Sequence, residues 1–137
     1  MTKDKVISIY SDGGARGNPG PAGIGALLWQ ENKLVGQVKK YIGETTNNIA
    51  EYQAVYYGLE KAKSLKPAVV NCYMDSELVA NQLNRQYKIK NVNLGPWFIK
   101  IWNLSQSFKK VNYYHIPRED NRGADKLVNQ AIDERSK

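Results

Sequence analysis

The chain has 137 residues, 42% hydrophobic and 24% charged, with 20 Lys and Arg against 13 Asp and Glu and a formal net charge of +7. This is ordinary globular composition, and it predicts one domain over 1–137 that buries a real core. It contains no apolar run near the ~18 residues of a membrane span and no visible secretory leader, so no membrane association is expected. The single cysteine, Cys72, excludes an internal disulfide, suits a reducing, cytoplasmic compartment and reads as a small core residue. The basic balance favours a polyanionic partner.

Lys5 to Ile9 is a short β-branched run that reads as a strand. It leads into Tyr10-Ser11-Asp12-Gly13-Gly14 and then a Gly/Pro/Asn-rich turn reaching Gly23. Segments 21–30 and 33–43 read as a strand pair joined at Glu31-Asn32, making an antiparallel meander with the first strand. Thr45-Thr46-Asn47-Asn48 offers N-caps for a helix over 49–63, which Lys66-Pro67 ends. Residues 68–74 read as a buried strand, and Asp75-Ser76 opens a second helix.

Residues 87–93 form a polar connection without periodicity. Beyond Gly95-Pro96, the segment 97–108 carries Phe98, Ile101, Trp102, Leu104 and Phe108 at helical spacing. A last strand over 111–116, a turn over 117–121 and a helix over 124–134 complete the chain, the helix with Leu127, Val128, Ala131 and Ile132 on one side. The order βββαβααβα predicts an α/β mixed sheet with helices packed on it.

Four carboxylates stand out from this scheme. Asp12 ends a strand and meets two glycines, where bare backbone N–H groups can approach a phosphate; a turn-capping role is the simpler alternative. Glu51 falls at the third helical position if Asn48 is the N-cap, a capping-box arrangement. Yet it shares its helix face with Ala54, Val55, Gly58 and Ala62, a small-residue stripe that faces a sheet. Asp75 either N-caps the helix at Ser76 or lies at a strand end where α/β folds gather ligands. Asp125 suits the dipole at the start of the last helix and borders its apolar stripe. If the four converge, their like charges demand a counter-charge, and oxygen-only donors favour Mg²⁺ or Mn²⁺.

Taken in order, Ser11-Asp12-Gly13-Gly14 with Gly17-Asn18-Pro19-Gly20, Thr45-Thr46-Asn47-Asn48-Ile49-Ala50-Glu51, Asp75-Ser76 and Asn121-Arg122-Gly123-Ala124-Asp125 resemble type 1 ribonuclease H. The resemblance implies a ribonuclease H-like fold: a five-stranded mixed sheet, its first three strands antiparallel and the rest parallel, flanked by helices. It implies a monomeric endonuclease that cleaves the RNA strand of RNA/DNA hybrids, leaving 5′-phosphate and 3′-hydroxyl ends. Asp12, Glu51, Asp75 and Asp125 match the acids that hold two Mg²⁺ or Mn²⁺ ions, with Asp12 bridging both. Gly13, Gly14, Asn18, Asn47 and Asn48 match contacts to the RNA strand, and Thr46 and Asn91 match positions holding a DNA phosphate. Arg16 adds charge nearby or is an ordinary exposed turn arginine.

Three departures accompany the resemblance. The basic helical insertion common in the family is absent, since Tyr87 to Gly95 runs directly on. Glu77 stands where a glutamine is common. Where long-loop members carry a catalytic histidine, this chain has His115 within an expected strand and Arg118 in a short turn, which favours Arg118 as the cation near the scissile phosphate. The competing readings are cleavage of double-stranded RNA, a transposase-like DNA cut, a non-catalytic nucleic-acid-binding module on the same fold, and a structural protein with coincidental acids.

Overall fold

The computed structural model describes residues 5–84 and 95–135. Five strands, β1 (Val6–Ala15), β2 (Gly20–Gln30), β3 (Lys33–Thr45), β4 (Val69–Met74) and β5 (Lys110–His115), form one sheet in the order β3-β2-β1-β4-β5. The pairings β1–β2 and β2–β3 are antiparallel, and β1–β4 and β4–β5 are parallel, as the resemblance implies. Four helices complete the fold: α1 (Asn47–Lys63), α2 (Glu77–Leu83), α3 (Gly95–Ser105) and α4 (Arg122–Asp133), the last preceded by a 3-10 turn at Arg118–Asp120.

Strand alternation divides the sheet into two unlike faces. Ile7 and Ile9 of β1 and Val70, Cys72 and Met74 of β4 point to one face, where they form the main core with Tyr52, Val55, Leu59 and Ala62 of α1. On the other face, α4 lies directly on β2, because Gly23 and Gly25 leave room for its backbone. A Cβ on Gly25 would fall 2.6 Å from the Ala124 carbonyl oxygen and 2.5 Å from the Leu127 Cβ. Burial of Leu127, Val128, Ala131 and Ile132 secures the helix there. Among the described residues, no helix is long and apolar enough to cross a membrane.

Helix starts differ from the sequence reading in two places that matter. Thr46, in extended conformation, is the N-cap of α1, its Oγ1 accepting from the Ile49 N–H at 3.3 Å. Glu51 therefore sits at the fifth helical position, too deep for the expected capping box. Likewise Ser76 caps α2, accepting from the Val79 N–H at 3.2 Å, which frees the Asp75 carboxylate from a capping role.

The third helix is also shorter than the expected 97–108. Phe108 lies beyond it in a turn, still buried, and Trp102 is 44% exposed rather than packed. Ile101 carries the contact to the core, and its neighbour is rotated ~100° away from that contact. The second helix ends at Leu83 with Asn84 as its C-cap, and the polar connection over 87–93 lies outside the described residues.

The glycine seat beneath α4 gives a direct test. Gly25→Ala drives a methyl into helix backbone and is expected to cost about 3 kcal/mol, the upper range of overpacking. Gly14→Ala, whose methyl would meet Val128 Cγ1 at 3.5 Å, is expected to cost under about 1 kcal/mol. Urea unfolding of the two variants compares them, and equal losses would refute the seat.

Candidate active site

The site arises where β1 outruns its parallel neighbour. The β1–β4 ladder ends at the Ser11–Met74 pair, so Asp12 and Asp75 follow side by side at the carboxyl ends of adjacent strands. Glu51 reaches them from α1 because Gly13 lets strand and helix backbones touch. A Cβ on Gly13 would lie 2.1 Å from the Ala50 carbonyl oxygen and 2.6 Å from the Glu51 nitrogen, distances that no side chain permits. The Gly13 backbone in turn hydrogen-bonds the Glu51 carboxylate.

One carboxylate oxygen from each of Asp12, Glu51 and Asp75 lies within 4.8 Å of the others. Asp125, in the first turn of α4, hydrogen-bonds Asp12. All four acids line one cavity of about 270 Å³, together with Arg118. The Arg118 side chain is 81% exposed, and its Nη2 stands 3.9 Å from Asp125 Oδ1.

Packing these charges together has a visible electrostatic effect. Burial first, then the charges of Asp75 and Asp125, pushes the Asp12 carboxyl up to about 8. Glu51, only 5% exposed, is held well above the ordinary carboxylate range by burial and then by Asp12 and Asp75. A cluster of hard oxygen donors under mutual repulsion is chemically suited to Mg²⁺ or Mn²⁺ and unsuited to thiophilic metals.

Asn121, which has no assigned role in the motif 121–125, organises the cluster. Nearly fully buried at the N-cap of α4, it donates from Nδ2 to the Ser11 carbonyl at 2.8 Å and to Asp75 Oδ2 at 3.1 Å. It thereby ties α4 to the ends of β1 and β4. The signal available in sequence was an asparagine four residues before an acid at a helix start.

The remaining candidates surround the cavity in different states. Asn47 Oδ1 accepts from the Ala15 N–H at 3.0 Å, and Asn18 Oδ1 accepts from the Asn47 N–H at 3.0 Å. These bonds fix the start of α1 against the β1–β2 turn, with Thr46 as cap and Asn48 half-buried in the first turn. Gly14 borders the cavity beside Gly13. Arg16 pairs with Asp133 at 2.7 Å and reaches Asn129 at 3.4 Å, which fastens the turn to α4. Asn91 lies outside the described residues. His115 ends β5 on the side of Val111 and Tyr113, which pack on the core, and it does not line the acidic cavity.

A mixed sheet in this strand order, with acids gathered at the end of its central parallel pair, defines a protein of the ribonuclease H-like class. Residues 10–131 match the family described as reverse transcriptase-like. The bifunctional protein Rv2228c of Mycobacterium tuberculosis is 40% identical over 131 residues, covering 94% of this chain and 36% of that protein. The chain thus spans about a third of that relative's length. Ribonuclease H of Chlorobaculum parvum is 32% identical over 149 residues, covering 97% of this chain and 99% of the relative. LC11-RNase H1, isolated from compost by a metagenomic approach and solved in complex with RNA/DNA hybrid, matches with a TM-score of 0.91 and 42% identity over 96% of this chain and 99% of that one. The chain belongs to the type 1 ribonuclease H family.

Charge repulsion in the cluster makes a prediction that does not depend on turnover. In chelator, Asp12→Asn is expected to raise Tm by a few degrees, because an amide spares the folded chain the cost of keeping a buried carboxyl, protonated or charged, among other acids. The same change is expected to abolish most of the stabilisation that Mg²⁺ or Mn²⁺ confers on the unsubstituted chain. Differential scanning calorimetry with and without the ion measures both effects. A lower Tm in chelator, with cation stabilisation intact, would remove Asp12 from the donor set.

Proposed function

We propose that this chain is an endonuclease that hydrolyses the RNA strand of RNA/DNA hybrids, leaving 5′-phosphate and 3′-hydroxyl ends. The observation that carries this reading is the meeting of Asp12, Glu51 and Asp75 oxygens within 4.8 Å, at a strand-end cleft of a basic chain. Family membership supports it, as does the hybrid bound to LC11-RNase H1. The net charge of +7 supplies the attraction for a polyanionic duplex.

Asp12, Glu51, Asp75 and Asp125 are the residues that would hold two Mg²⁺ or Mn²⁺ ions. When bound, such ions activate the attacking water and offset charge on the phosphate. The chain's own residues do the positioning. Gly13 and Asn121 hold the acids in place, through the backbone contact to α1 and the bond to Asp75 respectively. By their match to the family motifs, Gly13, Gly14, Asn18, Asn47 and Asn48 would contact the RNA strand, and Thr46 and Asn91 a DNA phosphate. Water oxygen joins phosphorus as the P–O3′ bond breaks, so the proton ends on the departing 3′-oxygen. Arg118, tethered between β5 and α4, presents two N–H groups to phosphate oxygens as charge builds there; Arg16, already paired with Asp133, contributes little.

Labelled RNA/DNA, RNA/RNA and single-stranded RNA, compared with Mg²⁺, with Mn²⁺ and with excess chelator, test the reading. Cleavage confined to the hybrid's RNA strand and lost in chelator is expected. Full activity in chelator would sink the metal-dependent assignment, and equal cleavage of RNA/RNA would widen the substrate to double-stranded RNA.

Arg118 and His115 are separated by a pair of substitutions. Arg118→Ala is expected to lower kcat by about 10- to 100-fold, roughly 1.4–2.7 kcal/mol of barrier, with KM little changed. His115→Ala is expected to act less on kcat, its side chain lying on the far side of β5. A crippled His115→Ala beside a normal Arg118→Ala would return the role to histidine.

A further inference from the structure

The sheet face that carries Asp12 and Asp75 is only partly covered. Helix α4 packs there against β1, β2 and β3, while α1, α2 and α3 contribute to the core on the opposite face. The start of β1 and the length of β4 and β5 stay open on the α4 side. Their alternate residues, from Ser8 and Tyr10 to Asn112 and Tyr114, are half-buried or exposed.

Strand register sorts this open face into rows. Two residues before the acids, Tyr10, Tyr73 and Tyr114 stand side by side on β1, β4 and β5. Their rings stack, Tyr10 on Tyr73 at 4.9 Å and 16°, and Tyr73 on Tyr114 at 5.3 Å and 24°. The next row is Ser8, Asn71 and Asn112. Asn112 Nδ2 donates to Asn71 Oδ1 at 2.9 Å, and Ser8 hydrogen-bonds Tyr73. Val6, Val69 and Lys110 form the third row. None of the three rows contains a carboxylate.

Tyr114 decides what this face can hold. Tyr73 covers one side of its ring. The other side looks past β5, which is the edge of the sheet, and the residue is 44% exposed. Helix α2 meets β5 on the core face, where Val111 and Tyr113 pack. A base laid on the open side of Tyr114 lengthens the stack by one member, the contact that holds single strands without regard to sequence. Lys110, four residues and ~13 Å away along the same strand, supplies a cation for the backbone. A protein partner fits less well. Among the described residues, Val6 and Tyr114 are the only exposed large apolar side chains on this face, too few for the apolar centre of an interface.

We propose that this open face binds the single-stranded continuation of the RNA strand, with one base stacked on Tyr114 and the backbone on Lys110. The choice of RNA rests on the hydrolysis reading, which puts that strand at Asp12 and Asp75. Those acids lie one row, ~6.6 Å, beyond the tyrosines, so a strand leaving the cavity over β4 meets the tyrosine row next.

The test follows fluorescence anisotropy of a labelled single-stranded oligoadenylate RNA of about ten nucleotides with the full chain in Mg²⁺. Tyr114→Ala is expected to weaken binding at least about fivefold. Tyr114→Leu, which keeps bulk at the sheet surface without a stacking ring, is expected to match it, and Tyr114→Trp to retain binding. An abasic strand of equal length has no base to stack and is expected to bind the unsubstituted and Tyr114→Ala chains equally. Lys110→Gln is expected to flatten the log–log salt slope by about 0.7, one phosphate contact on a single strand. In cleavage assays, a single-stranded extension on the RNA strand of a hybrid is expected to lower KM severalfold, and one on the DNA strand to leave it unchanged. Tyr114→Ala is expected to erase that gain while cleaving a blunt hybrid normally. Equal oligoadenylate affinity in the Tyr114→Ala and Tyr114→Leu chains, or an equal loss on the abasic strand, overturns the proposal. A KM lowered by the DNA extension instead overturns the assignment to RNA. Unaltered oligonucleotide binding by the variants beside normal hybrid cleavage removes this site alone, whereas weakened binding in a chain that cleaves no hybrid removes the hydrolysis reading alone.

Discussion

The contact between Gly13 of β1 and the Ala50–Glu51 backbone of α1 is the constraint on which the acidic cavity depends. Glu51 is fixed on a helix whose inner face is fully committed to the core through Tyr52, Val55 and Leu59. It can meet Asp12 only if strand and helix backbones come closer than any side chain allows. A second bare-backbone contact, Gly25 beneath Ala124 and Leu127, sets the depth of α4 and hence the place of Asp125. Asp12 and Gly25 are register partners, so both contacts act on the same stretch of paired strand. Two helices on opposite faces of the sheet are thereby brought to one point on its central strand.

Convergence of this kind is unfavourable in isolation. Buried like charges raise the free energy of the folded chain, and the structure offers few neutral donors in compensation: the Gly13 backbone toward Glu51 and the Asn121 amide toward Asp75. Hydrophobic burial on both sides of the sheet must hold the cluster together. Helix α1 is buried at Ala50, Ala54, Gly58 and Ala62 as well as at its large residues, and each fully buried large side chain contributes about 1.5–3 kcal/mol. Charge strain at a site held by packing elsewhere is the usual arrangement where function and stability compete.

The fold could be read from the sequence because its signals are local: β-branched runs, Thr and Ser caps, and the switch from two-residue to helical periodicity. The parallel half of the sheet is legible only through the family resemblance. The four acids were visible because each sat awkwardly in its own element, Glu51 on a small-residue stripe above all. Sequence and structure part where several equivalent local choices are open. Thr46, Asn47 and Asn48 are all good caps, and only the tertiary seating of α1 selects Thr46, which moves Glu51 out of the capping box. Trp102 shows the same limit, since periodicity cannot tell which side of a narrowly packed helix remains open. Asn121 was hidden for another reason: its value lies in reaching the ends of two distant strands at once.

Charge distribution links the cavity to the rest of the surface. Taking four of the 13 acids into one cleft that only Arg16 and Arg118 border leaves nine acids against 18 Lys and Arg elsewhere, so the outer surface is more basic than the net charge suggests. A duplex backbone is attracted to that surface while the cleft itself repels a phosphate. On the proposed reading, divalent cations held by the carboxylates would resolve the conflict. Each anionic partner then raises the affinity of the other side for the cation, and by linkage the cation raises the affinity for the phosphate by the same factor. On the proposed reading, substrate and metal binding are therefore coupled by the acids themselves, with no moving element required.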